Sequence, residues 1–131
     1  MLENSKAFAS YSVDDAEKAK HFYSQILGLQ VTQDNDMGGV LTIKIKEGIS
    51  VLIYPKTNHV PSTFTVLNFP VDDIVKTVTQ LKSSGAKFNS YNENHLKTDE
   101  NDISRGNGGP NIAWFTDPAG NILSVIEVDF K

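Results

Sequence analysis

Apolar and polar positions alternate in short runs along most of the chain, and two stretches switch to a helical period. Lys6 to Ser12 alternates as a strand, with Phe8 and Ser10 on one face and Ala7, Ala9 and Tyr11 on the other. Val13-Asp14-Asp15 then opens a helix, with Asp14 as N-cap and Glu17 completing a capping box. Ala16, Ala19, Phe22, Tyr23 and Ile26 recur at helical spacing as its apolar face, and Gly28 suits the position past its end. Strands are predicted at Leu29 to Thr32, Val40 to Ile45 and Ile49 to Tyr54, with turns at Asp34 to Gly39 and Glu47-Gly48. Pro55 to Pro61 reads as a polar linker.

The pattern then starts again. Phe64 to Phe69 is a strand, Val71-Asp72-Asp73 repeats Val13-Asp14-Asp15, and a helix buries Ile74, Val75, Val78 and Leu81 before ending at Gly85. Lys87 to Ser90 is a short strand. Trp114 to Thr116 and Asn121 to Glu127 form a hairpin around Asp117-Pro118-Ala119-Gly120, where Pro118 presets φ, Asp117 bonds nearby backbone and Gly120 tolerates positive φ. Gly120-Asn121-Ile122-Leu123-Ser124 matches Gly48-Ile49-Ser50-Val51-Leu52. The chain is therefore an internal duplication of a β-α-β-β-β unit. The expected layout is one domain over 1–131, with a first module at 1–56 and a second at 62–131. An Asn- and Gly-rich insertion at 89–111 is either a mobile lid over a ligand or surface disorder. In the last strand a polar Ser124 sits between apolar residues. It either lines a cavity or is a small core serine bonded to backbone.

Composition narrows the chemistry. A net charge of −4, with no basic tract, argues against a nucleic-acid surface. The absence of cysteine removes disulfides, thiolate metal sites and cysteine nucleophiles. The opening MLENSKAFAS does not pair a charged region with an apolar one. No apolar run approaches the roughly 20 residues of a bilayer span. A cytoplasmic protein without a membrane partner is the expectation.

VDDAEKAKHFYSQILGL followed by AWFTDPAGNILSVIE resembles the vicinal oxygen chelate superfamily, which includes glyoxalase I, bleomycin resistance proteins, fosfomycin resistance enzymes and extradiol dioxygenases. The resemblance covers nearly the whole chain. It implies an α+β fold whose two modules form an open, curled mixed sheet with helices outside and a ligand in the cup. It also implies a homodimer. Metal-dependent members place ligands at positions that fall here on Phe8, Leu52, Val66 and Ser124. Three of these carry no donor atom, and a serine hydroxyl is a poor ligand beside His, Asp or Glu. No metal and no cofactor are therefore expected. His21 pairs with Glu17 on a solvated helix face, His59 lies in the linker and His95 in the insertion.

Within that fold, alternation points Phe8, Ser10, Leu52, Tyr54, Val66, Asn68, Ile122, Ser124 and Ile126 inward, with Trp114 or Phe115 at the cavity or its rim. This mostly apolar set, with a few hydrogen-bonding points, suits a small organic molecule. It holds no obvious general base, and no serine within it is expected to have a histidine nearby. Glu127 falls on the opposite face. The first expectation is a metal-free binding protein like the bleomycin resistance branch. The second is a metal-dependent lyase or dioxygenase. A third is an enzyme that polarises substrate through Tyr54 or loop residues without metal.

Overall fold

A computed structural model describes residues 1–46, 49–106 and 109–129, and the chain divides into two compact units at 1–60 and 61–131. The first unit runs β1 (Ala9–Val13), α1 (Ala16–His21), β2 (Gln30–Asp34), β3 (Val40–Ile45) and β4 (Ile49–Pro55). Its sheet is ordered β1-β4-β3-β2, with β1 parallel to β4 and the other pairs antiparallel. Alternation decides its faces. Tyr11, Val13, Leu41, Ile43, Val51 and Ile53 are buried on one side, where α1 adds Ala19, and Phe22 and Tyr23 follow it. The Tyr11 and Tyr23 hydroxyls meet at 2.7 Å, so both phenols are satisfied inside an otherwise apolar layer.

The helix departs from expectation at both ends. Asp15, not Asp14, is the N-cap: its backbone is extended and its carboxylate accepts from the Glu17 and Lys18 amides. The cap must immediately precede the first helical residue, and Asp14 is needed to turn the chain out of β1. Glu17 is then two residues past the cap, one short of the capping-box spacing. Beyond His21 the helix widens into a π turn over Phe22–Ile26, closed by Leu27 N–H donating to the Phe22 carbonyl at 3.0 Å. Consecutive Phe22 and Tyr23 are both buried, their rings edge to face at 5.1 Å. Gly28 follows with φ +72°, as its place past the helix requires.

The second unit repeats the scheme: β5 (Thr65–Val71), α2 (Ile74–Ser83), β6 (Lys87–Phe88), a hairpin of β7 (Asn92–Glu93) and β8 (Leu96–Lys97), then β9 (Ile112–Thr116) and β10 (Ile122–Glu127). Its main sheet is ordered β5-β10-β9-β6, with β5 parallel to β10. Ala113, Phe115, Leu123 and Val125 form the buried face with Ile74 and Val78 of α2. Val75, expected on that face, is 42% exposed. It lies about 100° around the helix from Ile74, off the line that Ile74, Val78 and Leu81 define. Strand ends also shift by a few residues: the first strand starts at Ala9 rather than Lys6, and Leu29 to Thr32 becomes Gln30–Asp34. The Glu47-Gly48 turn lies outside the described residues.

The insertion at 89–111 is folded where it is described, rather than structureless. After the β7–β8 hairpin, the Asp99 carboxylate accepts from the Asn101 and Ile103 amides and pairs with Arg105 at 2.9 Å. Asp102, with φ +65°, bonds the Ser90 hydroxyl and pairs with Lys82 of α2 at 2.9 Å. Ile103 is fully buried, and Ser104 bridges Ile112.

Candidate functional site

In β10, Leu123 and Val125 point toward α2, so Ile122, Ser124 and Ile126 leave by the other face. The register brings Asn68 beside Ser124 on one side and Trp114 on the other. Ser124 is fully buried, but its hydroxyl donates to a side chain, the Asn68 amide oxygen at 2.5 Å, rather than to backbone as the simpler alternative held. Trp114 is half-buried. The Tyr91 ring stands edge-on to it at 5.6 Å, positioned by the Asn89 amide donating to the Trp114 carbonyl at 2.8 Å. Asn68, Ser124, Ile122, Trp114 and Tyr91 thus gather an indole, a phenol, an amide and aliphatic carbon on one face. Phe115, the other candidate for the rim, is fully buried on the α2 side. Tyr91 is absent from the expected set, although an aromatic residue in a polar insertion is a visible signal.

In the first unit, Ser10 pairs with Leu52 and Ser12 with Tyr54, all on the face opposite α1. Phe8 precedes β1 and is 67% exposed. Val66 falls where the β5–β10 ladder slips: Ile122 pairs with Thr65 and Leu123 with Leu67, so Val66 has no partner in the register. Outside the expected inward set, Ser12 Oγ is 2.7 Å from His59 Nδ1. Forty-seven residues separate the two, too far for local spacing to reveal.

The metal implied by the family resemblance does not fit the residues present. Phe8, Leu52 and Val66 offer carbon, and the Ser124 hydroxyl is engaged by Asn68. Among the described residues no three His, Asp or Glu side chains gather as a ligand set. Two concavities elsewhere are of a different character. One of about 550 Å³ beside β10 is lined by Asp72, Asn111, Glu127 and Asp129, and one of about 560 Å³ beside β2 by Thr32, Asp34 and Asp36. Their mostly polar linings offer little apolar surface on which to bury an organic ligand, so the open sheet faces are the better candidates.

Glu127 lies on the α2 side, as alternation requires. Its carboxylate accepts from the Ile74 backbone amide at 2.9 Å and from the Asn111 side-chain amide at 2.8 Å, and these bonds hold it below the ordinary carboxylate range. A depressed carboxylate stabilises the fold fully above its unfolded value of 4.5, and that contribution is lost as pH falls through the folded value. Glu127→Gln is therefore expected to flatten the decline in thermal stability as pH falls below about 5. Half-exposure limits the neutral-pH loss to about 1 kcal/mol. Thermal scans across that range check it.

Known proteins share this fold. The sequence profile of the Glyoxalase/Bleomycin resistance protein/Dioxygenase superfamily matches residues 7–125. The chain belongs to that superfamily. A comparison with curated proteins gives no significant match. Among solved structures, it is similar to TnmS3, an antibiotic binding protein from Streptomyces sp. CB03234 (20% identity, 96% of this chain and 98% of that one, TM-score 0.69). It is also similar to a member of the same superfamily from Sphaerobacter thermophilus (21%, 93% and 97%, TM-score 0.67). A third is the fosfomycin resistance protein FosX from Listeria monocytogenes (13%, 95% and 93%, TM-score 0.69). At these identities the likeness is one of fold. No helix among the described residues is long and apolar enough to cross a membrane.

Proposed function

We propose that this protein binds a small organic molecule without a catalytic metal ion, using the sheet face that carries Asn68, Trp114, Ile122 and Ser124. The observation that carries the reading is the Ser124–Asn68 hydrogen bond beside a half-buried indole. Where metal-dependent relatives need a donor, this chain has an internally satisfied hydroxyl. Around it are a stacking surface and aliphatic carbon, which hold organic ligands by burial and a few polar contacts. Two of the similar structures are an antibiotic binding protein and a fosfomycin resistance protein, which supports a small-molecule ligand. A metal-dependent lyase or dioxygenase is the second reading, and the donor set speaks against it. The first unit's own open face, with Ser10, Leu52 and Tyr54, offers a similar mixture of contacts, and Phe8 and Val66 stand at the margins of their respective sheets. A cytoplasmic homodimer is the proposed form in the cell.

Trp114 is the chain's sole tryptophan, so its emission reports on this face directly. Titration with a panel of aromatic natural-product antibiotics should give saturable quenching at one equivalent, with the ligand recovered unchanged. Trp114→Ala should weaken that binding about tenfold or more, followed by calorimetry. Stoichiometric divalent metal in the purified protein, with chelator-sensitive turnover of substrate, would overturn the reading.

A further inference from the structure

The first unit carries a hydroxyl and an imidazole in direct contact. Ser12 sits between buried Tyr11 and Val13, so its side chain leaves by the face opposite α1, across the ladder from Tyr54. Ser12 and His59 are both half-buried, which shields their hydrogen bond partly from water. The ring is carried by a turn tied to the same strand end. The His59 amide donates to the Lys56 carbonyl at 3.1 Å, and the Lys56 amide to the Val13 carbonyl at 2.9 Å. In the tautomer that leaves Nδ1 without a proton, the Ser12 hydroxyl donates to it, the arrangement that activates a hydroxyl nucleophile because the base takes the proton as oxygen attacks. Other serines here have partners of a different kind. Ser24 donates to the Lys20 carbonyl and Ser124 to an amide oxygen, neither of them a base, and Ser90 meets the Asp102 carboxylate, which also holds Lys82.

We propose that Ser12 and His59 form a metal-free nucleophile–base pair that accepts the acyl group of a small organic ester. The Ser12 Oγ–carbon bond forms as the ester's carbon–oxygen bond breaks. The hydroxyl proton passes to His59 Nδ1 and from there to the departing alcoholate. Water then attacks the acyl carbon, giving its proton to the same nitrogen. The Oγ–carbon bond breaks, and that proton returns to the serine as the carboxylic acid leaves. Tyr54 places a phenol on the same face, a hydroxyl donor suited to a developing oxyanion. The proposal requires nothing of the Trp114 face, so its failure would leave the binding reading intact.

The test uses the full chain with p-nitrophenyl acetate, following p-nitrophenolate release and locating the acetyl group by peptide mass mapping. The expected result is a burst approaching one equivalent with the adduct on Ser12. Ser12→Ala should abolish that adduct, and Ser24→Ala should leave it unchanged. His59→Gln retains a hydrogen-bonding side chain and should slow acylation about 100-fold with little change in thermal midpoint. Absence of an adduct on wild-type Ser12, acetylation elsewhere in its place, or acylation of folded His59→Gln at the wild-type rate would overturn the assignment. The wild-type map decides the matter even if a variant fails to fold.

Discussion

Phe115→Ala is expected to cost about 4 kcal/mol of unfolding free energy, a large share of what a domain of this size possesses. Phe115 is fully buried, pairs with Leu123 across the β9–β10 ladder and packs against Phe88 at 5.1 Å between ring centroids. Truncation leaves a cavity in the layer between the second sheet and α2, a place with little freedom to collapse. Trp114 provides the contrast. It is the preceding residue, points to the other face and is half-buried against Tyr91. Trp114→Ala should cost only about 1–2 kcal/mol while removing most of the ligand affinity. Urea unfolding of both variants, read beside ligand titrations, separates the two roles. A larger stability loss for Trp114→Ala than for Phe115→Ala would reverse the assignment of faces.

The second large effect is expected at Asp117. Its side chain is 4% exposed and accepts from the Ala119 amide at 3.0 Å, the Asn121 amide at 2.8 Å and the Asn121 side chain at 3.1 Å. Asn121 in turn accepts from the Ser62 amide at 3.2 Å, which ties the hairpin to the start of the unit. Asp117→Ala strands buried donors that water cannot reach and should lower stability by about 3 kcal/mol. Asp117→Asn keeps one acceptor oxygen and should lose about 1 kcal/mol. Thermal unfolding of the two variants checks the order. The neighbouring Gly120 is constrained as well: at φ +85°, an added Cβ would lie 3.0 Å from the Pro61 side chain.

That hairpin is legible in the amino-acid sequence alone. Asp117-Pro118-Ala119-Gly120 states its own turn, and a run of alternating residues has only two faces, so Leu123 and Ser124 have to separate. The helix-end glycines and the repeated Val-Asp-Asp motif expose the duplication for the same reason: local stereochemistry leaves a local mark. Details set by distant partners leave none. The Ser12–His59 bond depends on how the chain after β4 returns to the end of β1. The choice of Asp15 over Asp14 depends on where a strand releases the backbone. The π turn after His21 depends on fitting two adjacent aromatics against a sheet. The folded insertion shows no pattern because its order comes from side chains bonding backbone, as Asp99 does, rather than from a run of apolar residues.

The strand order also bears on how the chain is made. In each unit the last strand lies beside the first and runs parallel to it, so neither sheet can close until its final strand has been synthesised. β4 ends at Pro55, well before the second unit's own closing strand at Ile122–Glu127. On the ribosome, the first unit therefore has the whole of its sheet once β4 clears the exit tunnel, while β5 must await β10 across a longer stretch of chain. Misfolding during translation should accordingly concentrate in the second unit, whose β5 waits longer for its mate than β1 does.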